Sequence, residues 1–158
     1  MYEQGDGPGF STEAWTSVKP DLGLDFPNLP YFIDGEVRLT ETLAILKYVA
    51  AKYGQEKKML GETVEDQGRV EMLAHVLADT MMNATMPCYV ESDKLKVSEV
   101  CLKLMQPIVA YLETTKGTCL VGNNLTYVDF MLFELCERVQ FITDGRLFLA
   151  NRRLQTYH

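Results

Sequence analysis

Residues 22–54 read LGLDFPNLPYFIDGEVRLTETLAILKYVAAKYG, and this stretch carries the most structural information in the chain. The apolar run over 29–33 flanks a proline and is typical of a short strand. Asp34 and Gly35 form a two-residue hairpin signal, after which 36–39 is suited to a second strand. The stretch therefore begins with a predicted β-hairpin.

An amphipathic helix is predicted directly after the hairpin. Between Glu41 and Tyr53 the apolar residues recur at helical spacing, with Ile45, Val49 and Tyr53 on one face. Gly54 follows immediately, and glycine is the usual C′ residue of a helix. The order of elements is thus strand, turn, strand and helix.

The flanking segments differ in character from this α/β stretch. Residues 1–21 are rich in Gly, Pro, Ser and Asp, which favours a loop with at most a short helix. Residues 55–61 are charged and polar, and we interpret them as a linker between domains. Beyond them, apolar residues over 70–84 mark a long amphipathic helix that ends near Pro87.

Two further helices are predicted in the second half of the chain. The first covers 98–115, where Pro107 suggests a kink or an early break. The second begins at Tyr127 and continues to about residue 141. At its start Thr126 and Asp129 have the spacing of a capping box, in which each side chain bonds the other residue's backbone N–H. This arrangement gives Asp129 a structural role in preference to a catalytic one.

Composition and charge exclude several classes of protein. The 158 residues are 47% hydrophobic and 23% charged, as in ordinary globular proteins, and the net charge is −7. No Lys/Arg block provides the positive field that nucleic-acid binding needs. No apolar run is long enough to span a membrane, and the N-terminus does not resemble a secretory signal.

The cysteines predict free thiols in a reducing cytoplasm. They show neither CxxC pairing nor a histidine at metal-ligand spacing, so a disulfide framework or a zinc site is the poorer interpretation. The four residues are Cys88, Cys101, Cys119 and Cys136.

Two separated stretches resemble the glutathione transferase family. The first is 22–54, in which LGLDFPNLPY is similar to the mu class in particular. The second is YLETTKGTCLVGNNLTYVDFMLFEL, residues 111–135, which is similar to the helix, loop and capped helix of the family's helical domain. The segment YEQGDGPGFSTEAW, residues 2–15, also resembles a mu-class strand end and its following loop.

The resemblance implies an α/β plus all-α fold. Residues 1–54 would form a partial thioredoxin-like domain that binds glutathione, 55–61 a linker, and 62–158 an all-helical domain. In the family a catalytic tyrosine lies before the position of Tyr2, and the final helices extend beyond His158. The resemblance therefore implies a truncated product, with no catalytic residue assigned and conjugating activity barely above background.

The glutathione site implied by the resemblance begins at the hairpin. Pro30 would be a cis proline, a conformation that X–Pro bonds adopt at small cost. The backbone of Leu29 would then pair with the cysteinyl part of glutathione like an added strand. Glu41 and Thr42 stand where the mu class has Gln and Ser, and they suit the ammonium and carboxylate of the γ-glutamyl end.

Other implied site residues are scattered along the chain. Trp15 and Lys19 match residues that meet the glycyl carboxylate, and Asn28 belongs to the same patch. Asp79 matches an acid that reaches the glutathione bound by a partner subunit. Tyr89 matches a tyrosine that lines the electrophile pocket.

Each of these residue types also has an ordinary structural role. A lone Trp is usually a core residue, and Glu and Thr at a helix start are common caps. Met82 and Met86 near Tyr89 offer an adaptable apolar wall, although helical Met is usually core.

The resemblance implies conjugation of reduced glutathione to electrophilic small molecules, a detoxification reaction, by a cytoplasmic homodimer. Glutathione would be a co-substrate, with no cofactor, metal, nucleic acid or membrane involved. An alternative is a non-catalytic module with the same fold that binds glutathione or a protein partner. A small helical domain unrelated to this family is a further alternative.

Overall fold

The computed structural model describes residues 2–3, 5–7, 9–115, 117–151 and 153–154. The chain divides between Val49 and Ala50 into two compact units. Predictions that concern the end of the chain at Tyr157 and His158 lie outside the described residues.

The first unit contains two short helices and a hairpin. Its elements are α1 (Glu13–Thr16), a 3-10 helix (Lys19–Leu22), β1 (Tyr31–Asp34), β2 (Val37–Thr40) and the beginning of α2 (Thr42–Tyr53). Two short helices lie in the segment for which a loop with at most one short helix was predicted, whereas the hairpin and the helix after it are confirmed.

The turn of the hairpin lies one residue later than predicted. Asp34 pairs with Val37, so the connecting residues are Gly35 and Glu36. Asp34 is held in the strand because its carboxylate accepts a hydrogen bond from the Tyr48 hydroxyl on α2 at 3.0 Å. Gly35 takes a positive φ of 62°, which favours glycine.

Gly54 ends α2 for a different reason from the one predicted. It does not have the positive φ of a C′ glycine in the left-handed conformation. A Cβ at this position would lie 2.5 Å from Sδ of Met59 and 2.7 Å from the carbonyl oxygen of Ala50. Close packing therefore explains the glycine.

The second unit is helical. Its elements are the end of α2, α3 (Val64–Thr85), α4 (Pro87–Val90), α5 (Lys94–Thr114), α6 (Tyr127–Ile142) and α7 (Arg146–Ala150). The faces of α3, α5 and α6 pack together around a core of aliphatic side chains. Its fully buried members include Leu77, Met105, Leu112, Leu132, Leu135 and Val139.

Helix α5 is longer than predicted at its start and is not broken by proline. Asp93 caps it by accepting hydrogen bonds from the N–H groups of Leu95 and Lys96 at 3.0 and 3.3 Å. The helix then continues through Pro107. Pro107 is exposed, so water can satisfy the carbonyl group that loses its partner there. Among the described residues no helix is long and apolar enough to cross a membrane.

Candidate functional site

The open end of the β1–β2 hairpin brings the predicted site segments together. Tyr31 is paired with Thr40 at the last position of the ladder. Cβ atoms of directly opposed residues in such a pair are about 5 Å apart. Pro30 precedes Tyr31 and Glu41 follows Thr40, so Pro30 and Glu41 extend from the same end of the sheet.

The Leu29–Pro30 peptide bond is cis, as predicted. Both residues are exposed. The N–H of Leu29 donates to Oδ1 of Asn28 at 2.9 Å. A ligand that paired with this N–H would take the place of the Asn28 oxygen.

Glu41 and Thr42 lie where the chain enters α2, and both are exposed. Glu41 has a φ of 71°, a left-handed conformation that costs about 1–3 kcal/mol for a residue with a side chain. Its carbonyl oxygen accepts the hydrogen bond from the N–H of Ile45 at 3.0 Å. The first N–H groups of α2 have no partners within the helix, and α2 begins directly after the open end of the hairpin.

Trp15 belongs to an aromatic cluster that the sequence analysis did not identify. Its indole ring stacks on Tyr31 with ring centroids 5.9 Å apart and lies edge-on to Tyr2 at 5.3 Å. The hydroxyl oxygens of Tyr2 and Tyr31 are 3.0 Å apart. This hydrogen bond, together with partial burial, raises the pKa of the Tyr2 hydroxyl.

The aromatic cluster ties Trp15 to the same end of the hairpin, because Tyr31 is the first residue of β1. Lys19 begins the 3-10 helix four residues after Trp15 and is half-buried. The sequence held one signal for this cluster, because successive side chains of a β-strand alternate between its two faces. In β1 this alternation puts Tyr31 and Ile33 on one face and Phe32 on the other. The ring of Phe32 lies near that of Tyr48, with centroids 6.1 Å apart.

Asp79 and Tyr89 lie in the second unit. Asp79 is exposed near the middle of α3. Tyr89 is on the short helix α4 and is 79% exposed. Met82 and Met86 are also exposed, so they are not ordinary core residues. The helical unit thus presents Tyr89 and the two methionines to solvent near the end of α3.

The capping box at the start of α6 is confirmed. Oδ2 of Asp129 accepts hydrogen bonds from the backbone N–H and the hydroxyl of Thr126, each at 2.7 Å. A second box at the start of α3 was missed, although Thr63 and Asp66 have the same spacing. Asp129 is 4% exposed, which supports its structural role.

All four cysteines are free thiols, as predicted. Within the described residues there is no group of three or more His, Cys, Asp and Glu side chains that could hold a metal ion.

Two family models match this chain. Residues 2–51 match the model described as Glutathione S-transferase, N-terminal domain, and residues 77–147 match the model described as Glutathione S-transferase, C-terminal domain. Together they include the hairpin, most of α2, the last nine residues of α3, and all of α4, α5 and α6.

Several curated proteins are similar to this chain. Glutathione S-transferase Mu 2 of Rattus norvegicus is 37% identical over 138 residues, which covers 87% of this chain and 62% of that protein. Glutathione S-transferase Mu 2 of Mus musculus is 38% identical over the same length and coverage. Glutathione S-transferase of Dermatophagoides pteronyssinus is 38% identical over 143 residues, covering 86% of this chain and 61% of that protein. The chain thus spans somewhat less than two thirds of the length of these relatives.

Two solved structures have similar folds. The crystal structure of the glutathione S-transferase Blo t 8 has a TM-score of 0.79 and 27% identity, covering 92% of this chain and 68% of its own. The Onchocerca volvulus Pi-class glutathione S-transferase has a TM-score of 0.80, covering 94% of this chain and 70% of its own. At 22% identity the second likeness concerns the fold alone.

Proposed function

Because this chain belongs to the glutathione S-transferase family, we propose that it binds glutathione at the open end of the β1–β2 hairpin. One observation carries the proposal: the pairing of Tyr31 with Thr40 brings the segment before β1 and the segment after β2 to the same end of the sheet. These are the segments that the sequence analysis assigned to the cysteinyl and γ-glutamyl parts of the ligand.

In this proposal each part of glutathione meets a different element. The Glu41 carboxylate accepts from the ligand's ammonium group, while Thr42 and the first N–H groups of α2 bind the γ-glutamyl carboxylate. The Leu29 backbone pairs with the cysteinyl residue after displacing Asn28. Trp15 and Lys19 bind the glycyl carboxylate, with Tyr31 holding the indole ring in place.

The reaction we propose for the protein is conjugation of reduced glutathione to electrophilic small molecules, a detoxification reaction; that these 158 residues alone conjugate glutathione barely above background stays a prediction. In such a reaction the cysteinyl thiol loses its proton and the resulting thiolate attacks the electrophile. Glutathione is the co-substrate, and no separate cofactor is involved. Tyr89, with Met82 and Met86, would line the electrophile pocket, as their exposure on α3 and α4 allows. We assign no catalytic residue.

We also propose that the protein is a homodimer. Asp79 lies between the exposed residues Met72 and Val76 on one side and Asn83 on the other, all close to one face of α3. A second copy of the chain would cover this surface, and Asp79 would reach the glutathione bound by the partner.

The remaining proposals concern domains and location. We propose a glutathione-binding domain over 1–54, a linker over 55–61 and a helical domain over 62–158. The four free thiols support a reducing location such as the cytoplasm.

Glutathione binding is tested by calorimetry with Glu41→Ala and a matched control. The control is Glu36→Ala, which removes an exposed carboxylate from the turn at the opposite end of the same hairpin. Loss of a charge-assisted hydrogen bond costs about 1.5–3 kcal/mol, so we expect Glu41→Ala to weaken binding by about tenfold or more. Glu36→Ala should bind like the unaltered chain.

The Glu41→Ala substitution leaves the backbone strain at position 41 nearly unchanged, because Ala and Glu both carry a Cβ at a φ of 71°. Equal affinities of Glu41→Ala and Glu36→Ala would remove Glu41 from the site. No detectable binding to the unaltered chain would contradict the proposed function itself.

A further inference from the structure

Two thiols in the helical unit converge on one backbone oxygen. Sγ of Cys88 is 3.7 Å from the carbonyl oxygen of Ala84, and Sγ of Cys101 is 3.4 Å from the same atom. Given these two distances, the sulfur atoms lie within about 7 Å of each other. Their positions come from separate elements, since Cys88 is on α4 and Cys101 is on α5.

The two cysteines differ in exposure and in freedom to move. Cys88 is exposed, whereas Cys101 is fully buried against α3. Helix α4 has only four residues and buries none of them, while α5 contributes several residues to the core. Elements with few buried contacts open at low free energy, so Cys88 is the member of the pair that can move toward the other.

We propose that Cys88 and Cys101 are a redox-active thiol pair, modified by small-molecule disulfides such as glutathione disulfide and able to close an intramolecular disulfide bond. The inference does not rest on the proposed transferase function, because it uses only the two thiols and their shared neighbour Ala84.

The oxidation proceeds in two balanced exchange steps. The Cys88 thiolate attacks one sulfur of glutathione disulfide, whose S–S bond breaks, and one glutathione thiolate leaves. The Cys101 thiol then attacks Sγ of Cys88, its proton passes to the departing sulfur, and the second glutathione leaves as a thiol. Two protein thiols are oxidised by two electrons in total, and glutathione disulfide is reduced to two molecules of glutathione.

The order of attack follows from accessibility. A solvated cavity of about 310 Å³ beside α4 is lined by Cys88, Lys94 and Phe141, so a dissolved disulfide can reach Cys88. Cys101 is out of reach of solvent, and its burial also raises the pKa of its thiol. The second step is nevertheless intramolecular, which gives it a high effective concentration of the attacking thiol.

Peptide mapping after exposure to glutathione disulfide tests the pair. Trypsin cleavage places Cys88 in peptide 70–94 and Cys101 in peptide 97–103, while Cys119 and Cys136 share peptide 117–138. We expect a disulfide-linked 70–94/97–103 species, reversed by dithiothreitol, and the loss of two of the four free thiols. Cys119→Ala is the control and should form the same linked species.

Two variants separate the steps. Cys88→Ser should form neither the linked peptides nor a glutathione adduct on peptide 97–103. Cys101→Ala should stop after the first step, with one glutathione retained on Cys88. The proposal is overturned if the unaltered chain accumulates only a stable Cys88 adduct, or if Cys101 becomes modified in Cys88→Ser. Because the linked peptides are sought in the unaltered chain, the test does not depend on whether Cys101→Ala folds.

Discussion

The backbone N–H of Leu120 donates a hydrogen bond to Oδ1 of Asp129 at 2.8 Å, in a buried position. Oδ2 of the same carboxylate accepts from the N–H and the hydroxyl of Thr126. Asp129 therefore does more than cap α6, because it also fixes the loop that precedes the helix. Removing its carboxylate would leave buried donors without partners, which is more costly than the loss of an exposed cap.

We expect Asp129→Ala to destabilise the protein strongly. Leaving a buried donor without a partner costs about 1–3 kcal/mol, so the loss for this site should be about 3 kcal/mol or more. The matched control is Asp66→Ala at the start of α3, which removes the same kind of capping box around a half-buried carboxylate. The loss of such a cap should cost about 1 kcal/mol.

Urea unfolding followed by circular dichroism measures both changes in the free energy of unfolding. Similar losses for the two aspartates would show that Asp129 acts only as a helix cap and that its bond to Leu120 adds nothing.

Because Tyr127 is buried, we expect its hydroxyl group to make the protein less stable at high pH. Burial first, and then the nearby Glu71 carboxylate, raise the pKa of Tyr127 to about 12, above its ordinary value of 10.0. A raised pKa means that the folded state holds the proton more tightly than the unfolded state. The contribution of Tyr127 to the free energy of unfolding is therefore complete below pH 10 and is lost as the pH rises from 10 to about 12.

We expect Tyr127→Phe to lose less stability than the unaltered chain between pH 10 and 12, by about 2–3 kcal/mol at most. Below this range the difference should be small, because the hydrogen bond to Glu71 is long at 3.4 Å. Tyr89→Phe is the control, since Tyr89 is mostly exposed. Chemical denaturation at several pH values measures the free energy of unfolding of each protein. If it fell equally with pH in the unaltered chain and in Tyr127→Phe, the loss of stability would not come from Tyr127.

The sequence predicted those features that depend on nearby residues. Thr126 and Asp129 form their box within one helical turn, so their spacing alone identifies it. The start of α5 was missed even though Asp93 is a suitable cap. Its first turn is polar apart from the exposed Leu95, so apolar periodicity becomes visible only near Val97.

Features that depend on distant residues could not be predicted from local patterns. The hairpin turn is shifted because Tyr48, on the following helix, holds Asp34 in the strand. The stacking of Trp15 on Tyr31 joins a residue of α1 to a residue of β1, and the 3-10 helix and a loop lie between them. The resemblance identified Trp15 as a site residue, but only the fold reveals what holds its ring in position.

The proposed dimer predicts that Met72→Glu yields a monomer. Met72 is half-exposed on the same face of α3 as Asp79, two helical turns before it, and a carboxylate without a partner in a buried interface costs about 3 kcal/mol or more. Dimer affinity should therefore fall by about 100-fold or more. The control is Leu149→Glu on α7, where the side chain is 85% exposed.

Sedimentation velocity distinguishes the two variants. We expect the unaltered chain and Leu149→Glu to sediment as dimers and Met72→Glu as a monomer. A monomeric unaltered chain at micromolar concentration, or a dimer unaffected by Met72→Glu, would contradict the proposed interface.

Lys19 is expected to recognise only the glycyl end of glutathione, and a shortened ligand isolates that end. The dipeptide amide γ-glutamylcysteinamide retains the groups proposed to meet Glu41 and Leu29 but lacks the glycyl residue and has no C-terminal carboxylate. Loss of a charge-assisted contact costs about 1.5–3 kcal/mol, so Lys19→Ala should weaken glutathione binding by about tenfold or more. It should leave the affinity for the dipeptide nearly unchanged, because the Lys19 ammonium has no partner on that ligand.

Lys47→Ala controls for the change in net charge, since Lys47 is exposed on α2 of the same unit. Calorimetry with both ligands separates the possibilities: equal losses for the two ligands would assign Lys19 a general electrostatic effect, and no loss for either would remove it from the site.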